Sequence, residues 1–278
     1  MTNTKYNKSL FKWAGGKGKA LKHVLPILEK HKQRTLVEPF IGAANISLNF
    51  DTDKYIWNDI NEDLINTYKL LVKTEDVSHY INICKVLFNS GYNDYYELRR
   101  SFNQEDLGTL TKCAIFQYLN KFGYNGLARY NLKGEFNVPI GNVKKNLPNI
   151  PTDSINLLHK RHKNNTALMC KSYEEVFEHV EELDNCLIYS DSPYVPLTTE
   201  FKYSVKGFNK EDHIKLKELS KNSKHTSIIS NHWTDFTKEL YKDADELYTF
   251  EVQRTISCDG GGRKKVEEVV AVYLGGKE

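Results

Sequence analysis

The sequence predicts an α/β protein: a sheet domain made of residues 1–60 and 151–278, interrupted by a helical insertion over 61–150. Three observations carry that reading. Short apolar runs alternate with helix-period segments at both ends of the chain. The middle changes character, from amphipathic helix to an Asn- and Gly-rich polar stretch. No internal repeat is present that would point to a solenoid instead.

The elements follow in order. Thr35-Leu36-Val37-Glu38-Pro39-Phe40 reads as a buried strand, closed by the small-residue turn Ile41-Gly42-Ala43-Ala44. Tyr55-Ile56-Trp57-Asn58-Asp59 is a second strand, and Glu62 to Lys73 has helical periodicity. Residues 75–122 are mostly helical, with apolar positions at Ile81, Val86, Leu87, Leu98, Leu110, Ile115 and Leu119. Phe122-Gly123-Tyr124-Asn125-Gly126 is a turn signal that opens a polar stretch to about residue 142, expected to form a β-hairpin and loops. Strand signals resume at Ala167 to Cys170 and at Cys186 to Tyr189. An amphipathic helix over Lys210 to Ser223 precedes the strand Thr226 to Ser230. A helix near 234–243 and strands near 246–256 and 267–274 complete the chain.

Composition limits the function classes. With 278 residues, 40% hydrophobic and 12% aromatic, the chain can bury a substantial core, and 27% charge without low-complexity tracts argues against disorder. No apolar run is long enough to span a bilayer, and the polar start Met1-Thr2-Asn3-Thr4-Lys5 is not a signal peptide. Cys84, Cys113, Cys170, Cys186 and Cys258 are odd in number and scattered, so neither a zinc site nor a disulfide framework is indicated. A reducing cytoplasm is the expected location. The net charge of +3 conceals an asymmetry: residues 1–34 hold nine Lys or Arg against Glu29, and residues 121–145 hold five against Glu135. Local balances of +8 and +4 leave −9 for the remainder, so two basic segments sit on an acidic body. That pattern suits a polyanion-facing surface, or equally a solvated lysine face.

Three motifs carry chemistry. In Asp191-Ser192-Pro193-Tyr194 a buried strand ends in a carboxylate, a rigid proline and an aromatic ring. Asp191 can accept a hydrogen bond from an exocyclic amino group, a neighbouring carbonyl can accept a second, and Tyr194 can stack on a flat heterocycle. The same residues also describe an ordinary Asp-Ser-Pro turn. Glu38-Pro39-Phe40-Ile41-Gly42 puts an acid and a glycine turn at a strand end, with Asp59 ending the next strand, where an acid can chelate ribose hydroxyls. No G-x-G-x-x-G and no P-loop accompanies them, and a surface acid beside a tight turn is the plainer alternative. Phe11-Lys12-Trp13-Ala14-Gly15-Gly16-Lys17 combines aromatics, glycines and lysines, as a ligand-facing turn or a flexible basic one would.

Taken in order, these motifs resemble the Dam DNA adenine methyltransferases. The resemblance runs from about residue 9 to 275. It is carried by Phe11 to Lys17, Glu38 to Gly42, Asn58-Asp59-Ile60-Asn61, Tyr124-Asn125-Gly126-Leu127, Arg129-Tyr130-Asn131, Gly134-Glu135-Phe136-Asn137-Val138-Pro139 and Asp191 to Tyr194. The closing segment Arg254-Thr255-Ile256-Ser257 through Gly261, Arg263, Lys264 and Lys265 is similar too. The resemblance implies a Rossmann-like methyltransferase sheet, S-adenosylmethionine as donor (leaving as S-adenosylhomocysteine), no metal, and duplex DNA containing GATC as substrate of a monomer. It implies that Trp13, Lys17, Glu38, Phe40, Gly42 and Asp59 hold the donor, with Ser172 and Tyr173 near its adenine. Lys12, Tyr124, Asn125, Leu127, Arg129, Asn131 and Pro139 would face DNA, and Lys133, Lys144 and Lys145 its phosphates. Tyr124 would fill the gap left by an extruded adenine, whose N6 would bond to Asp191 and the Ser192 carbonyl while Tyr194 stacks on the ring.

The chain departs from the family pattern at several positions. Ser192 replaces the first proline of the usual Asp-Pro-Pro-Tyr, which frees the backbone and adds a hydroxyl able to compete for Asp191. Reduced or conditional activity is therefore expected. Ala44 and Asn45 replace a common Gly-Ser, with the Ala44 methyl expected close to the donor, and Asn142-Val143 replaces a basic residue and an aromatic. Two rival readings follow: a Dam-like protein that occupies GATC without methylating it, and a methyltransferase for another amine or amide. The second leaves the Tyr124 to Pro139 segment unexplained, as does a nucleotide-binding module with no nucleic-acid partner.

Overall fold

A computed structural model describes residues 6–13, 15–196, 208–253 and 265–276. In chain order its strands are β1 (Thr35–Glu38), β2 (Lys54–Asn58), β3 (Thr166–Met169), β4 (Cys186–Ser190), β5 (Thr226–His232), β6 (Glu246–Gln253) and β7 (Lys265–Tyr273). The helices are α1 (Leu21–Lys30), α2 (Glu62–Lys73), α3 (Ser78–Asn89), α4 (Tyr95–Gln104), α5 (Thr109–Phe122), α6 (Thr152–His162), α7 (Tyr173–Val180), α8 (Lys210–Asn222) and α9 (Asp235–Leu240). They belong to two compact units, one of Met1–Gly16, Gly42–Asn49 and Asn61–Cys170, the other of Lys17–Ile41, Phe50–Ile60 and Lys171–Glu278. The expected residues 254–256 of the late strand, and the closing motif from Arg254 to Lys264, lie outside the described residues. So do Ala14 and Cys258.

The six strands of the second unit stand in the order β2-β1-β4-β5-β7-β6. The first four are parallel, and β7 runs antiparallel between β5 and β6. Every residue of β1 and β4 is buried, as expected of parallel strands covered on both faces. Chain order reverses between β1 and β4, which are neighbours in register Val37↔Ile188. Crevices at such a switch, beyond the carboxyl ends of the strands, are where α/β sheets hold ligands. Glu38, Asn58 and Ser190 end the strands there.

The helices α1, α6 and α7 lie in segments where no helix was expected. Pro26 lies inside α1 and no side chain caps it. α6 is polar, burying Ile155, Leu158 and His162, and α7 has only eight residues. What fixes α7 is a capping box, in which Ser172 accepts from the Glu175 amide and Glu175 from the Ser172 amide.

The first unit is built on α5, buried from Cys113 to Phe122 except at Lys121. It is larger than the 61–150 segment marked from sequence. Two buried amides of α5 hold the N-terminal segment: Gln117 donates to the Leu10 carbonyl (2.9 Å), and Asn120 accepts from the Lys12 amide (2.9 Å) while donating to its carbonyl (2.7 Å). Tyr68 of α2 donates to the Gly42 carbonyl (2.7 Å), and His159 of α6 bonds the Leu71 carbonyl (2.8 Å). Val86, expected among the apolar positions, is 71% exposed. The hairpin expected between 123 and 142 is reduced to two isolated antiparallel bridges, Gly123↔Ile140 and Tyr130↔Phe136. Side chains replace the missing ladder, because Phe136 and Val138 are buried and α4 holds their backbone. Asn103 bonds both the amide and carbonyl of Phe136 (2.8 and 3.0 Å), and Tyr95 and Arg99 both donate to the Val138 carbonyl (3.0 Å each).

Among the described residues no helix is long and apolar enough to cross a membrane.

Candidate functional site

The sheet unit gathers Lys17, Asp191, Tyr194 and Glu268 at the end of β4. Lys17 is only 4% exposed, and a buried ammonium requires partners. Its Nζ lies 2.8 Å from Asp191 Oδ1, 3.8 Å from Glu268 Oε2 and 3.9 Å from the centre of the Tyr194 ring. The Tyr194 hydroxyl donates to Glu268 Oε2 (3.4 Å). Burial raises the Asp191 carboxyl above the usual range, and the Lys17 ammonium opposes that rise. Glu268 is delivered by strand register, since β7 runs antiparallel to β5 and sets Glu268 opposite His232. Sequence reasoning missed it. The available signal was an acid beside the apolar run Val269-Val270-Ala271-Val272.

Ser192 is 1% exposed, and its hydroxyl has no hydrogen-bond partner among the described residues. The expected competition for Asp191 is therefore not present. The hydroxyl is instead an unsatisfied buried group, of a kind that costs roughly 1–3 kcal/mol. Ala44 is fully buried, and its φ of 54° lies in the left-handed region that strains a residue with a Cβ. Pro193 is exposed beside the half-buried Tyr194.

The residues expected to hold the donor are distributed as follows. Glu38 is buried at the end of β1, and Asp59 follows the last residue of β2. Asn58 fixes the turns around them. Its Nδ2 donates to the Pro39 and Lys171 carbonyls (2.9 and 3.0 Å), and its Oδ1 accepts from the Lys171 amide (2.9 Å). Phe40, Tyr173 and Phe208 form an aromatic cluster with ring centres 5.6–5.7 Å apart. Ser172 is occupied in capping α7. Trp13 and Gly42 fall in the helical unit, where the Trp13 ring covers Gly42 closely enough that a Cβ there would lie 2.8 Å from it. Among the described residues no group of three or more His, Cys, Asp or Glu could hold a metal ion.

All the residues expected to face DNA fall in the helical unit. The alternation that buries Phe136 and Val138 leaves Pro139 exposed. Lys133, Lys144 and Lys145 are exposed, and Tyr124 is 47% exposed. Asn125 has a positive φ of 53° and Gly126 of 65°. Gly126 packs against Lys12 so closely that a Cβ would meet Lys12 Cβ at 2.1 Å. The half-buried Leu127 follows. Arg129 Nε donates to Asn137 Oδ1 (2.8 Å), which orients its guanidinium. Asn131 is engaged within its own turn, where its Oδ1 accepts from the Lys133 and Glu135 amides (2.9 Å each). Tyr130 donates to Asp63 (2.6 Å) and ties the segment to α2. Lys12 donates to the Lys121 carbonyl (2.8 Å). Burial, with the Lys12 charge added, pulls Lys121 down to about 8.

A family model described as D12 class N6 adenine-specific DNA methyltransferase matches residues 13–256. A DNA adenine methylase of Vibrio cholerae serotype O1 is 39% identical over 281 residues, covering 97% of each chain. The DNA adenine methylase of Escherichia coli K12 is 39% identical, covering 98% of this chain and 97% of its own. That of Serratia marcescens is 36% identical, covering 97% and 99%.

Proposed function

The chain belongs to the D12 class of N6 adenine-specific DNA methyltransferases, and from that premise we propose that it methylates adenine N6 within GATC of duplex DNA, using S-adenosylmethionine. The observation that carries the proposal is the Asp191 turn, set at the sheet's switch edge with a buried lysine on one carboxylate oxygen. When bound, S-adenosylmethionine supplies an electrophilic methyl group on a sulfonium.

The side chains suit that donor. An acid at the end of β2 matches ribose hydroxyls, a buried acid at the end of β1 matches a cationic amine, and the cluster of Phe40 and Tyr173 matches a purine face. Trp13, Lys17 and Gly42 are assigned to the donor by resemblance.

The protein's own groups act on the adenine. With Lys17 on Oδ1, the other Asp191 oxygen accepts one N6 hydrogen, and the Ser192 carbonyl accepts the second. These acceptors localise the nitrogen lone pair along the line of attack, and the partly buried carboxylate is a stronger acceptor than one in water. Tyr194 holds the ring flat. Alignment supplies much of the rate, so each misplacement costing about 1.4 kcal/mol slows transfer tenfold. Ser192 leaves the acceptor carbonyl on a freer backbone than proline would, and Ser192→Pro is expected to raise turnover a few-fold.

Arg129 is the candidate for guanine, through two bonds to its major-groove edge, and Leu127 and Pro139 for the thymine methyl. Tyr124 is exposed and flat enough to replace an extruded base. The test is transfer of labelled methyl to GATC duplexes and to duplexes altered one base at a time. Label on GATC alone supports the reading. Equal label on the altered duplexes rejects GATC, and none on any duplex rejects transfer.

A further inference from the structure

We infer that Asn231 and His232, at the carboxyl end of β5, are positioning residues that clamp the Asp191–Tyr194 turn by gripping the backbone of Val195. The inference rests on reading that turn as the methyl-transfer site, and it assigns the turn's rigidity to residues outside it.

Val195 is the first residue after Tyr194, and both its backbone groups are held. Its amide donates to Asn231 Oδ1 (3.0 Å), and its carbonyl accepts from His232 Nδ1 (2.8 Å). A carbonyl can only accept, so Nδ1 carries the proton and the tautomer is fixed. Asn231 is itself immobilised. It is fully buried, and Oδ1 also accepts the His232 amide (2.9 Å), while Nδ2 donates to the Tyr241 hydroxyl (3.2 Å) and reaches His213 Nδ1 (3.4 Å). Burial depresses His213 to about 4, so at neutral pH that ring is uncharged and can accept. The His232 ring meets the Tyr194 ring edge-on at 4.7 Å, adding a side-chain contact to the backbone pair.

The base of the clamp is rigid, because β5 is hydrogen-bonded to β4 on one side and β7 on the other. The turn needs such an anchor. Three proposed working groups, at 191, 192 and 194, lie between the end of β4 and Val195, and serine at 192 leaves φ unconstrained there. Fixing the chain at 190 and 195 confines what serine leaves free.

The test compares His232→Phe and Asn231→Leu with the parent, each with and without Ser192→Pro. His232→Phe keeps an aromatic ring against Tyr194 and removes the Nδ1 donor to Val195. Methyl transfer to adenine duplexes and amide exchange over residues 191–196 are read in parallel. We expect kcat to fall roughly tenfold to a hundredfold with KM changed less than about twofold, and exchange in the turn to quicken. Ser192→Pro should recover about tenfold in the His232→Phe background but only a few-fold in the parent. Unchanged kcat in His232→Phe overturns the inference, as does a loss that Ser192→Pro leaves untouched. A parent that methylates no adenine duplex overturns the functional reading instead. The clamp is then decided by exchange alone, where unchanged rates over 191–196 overturn it.

Discussion

Replacing Lys17 by methionine strands a carboxylate, and the size and pH dependence of the effect follow from the geometry. Methionine keeps most of the buried aliphatic length but removes the ammonium 2.8 Å from Asp191 and 3.8 Å from Glu268. Removing one partner of a buried pair costs about 3–5 kcal/mol. The Asp191 side chain keeps 21% exposure, which places the expected loss near the lower figure. The sign with pH is definite. Burial already raises the Asp191 carboxyl and Lys17 alone opposes it, so without Lys17 the carboxyl rises further. Protonation relieves the stranded charge. The variant's deficit is therefore full above its raised value and shrinks as the pH falls through it. Urea unfolding of parent and variant from about pH 8 to about pH 5 reads this directly. The acid limb of methyl transfer should also move to higher pH, since the carboxylate is the acceptor. A deficit constant across that range, or one that grows on acidification, would show that no charge is stranded at Asp191.

Three further outcomes are expected. Ser192→Ala removes a buried hydroxyl without a partner, so urea unfolding should show equal or greater stability, by about 1 kcal/mol; a loss of that size would show the hydroxyl is satisfied. Gly126→Ala forces a Cβ against Lys12 at a φ of +65° and should lower the melting temperature and weaken DNA binding, a cost of about 1–3 kcal/mol that an unchanged melting curve would contradict. Replacing Lys133, Lys144 and Lys145 by alanine should reduce the slope of log affinity against log salt by about 0.9 for each lysine that meets a phosphate, while leaving the base preference intact.

Much of the sheet unit was legible because its signals are local. Cys186 to Ser190 is a short apolar run that can only be buried, so the polar turn after it had to stand at a sheet edge. In the helical unit, the periodicity of Glu62 to Lys73 marked α2, which the Asn61 side chain caps by accepting the Leu64 amide. The parts that stayed illegible depend on partners distant in sequence. Asn103 and Arg99 replace the ladder of the expected hairpin from more than 30 residues away. Glu268 reaches Lys17 only through an antiparallel register that no local pattern encodes. Asn231 and His232 read as an ordinary strand end until Val195 is placed against them. The Ser192 substitution was visible in the sequence, but the burial of its hydroxyl was not. Only burial shows that the hydroxyl lacks a partner.

Adenine methylation by this protein should depend on the Asp191 carboxylate as the acceptor for N6. Plasmid from a host lacking its own adenine methylase, expressing either the parent or Asp191→Asn, can be digested with a nuclease blocked by N6-methyladenine in GATC. Protection by the parent and complete cutting with Asp191→Asn are expected, although both purified proteins still bind duplex DNA. Equal protection by the two would show that the carboxylate is not needed.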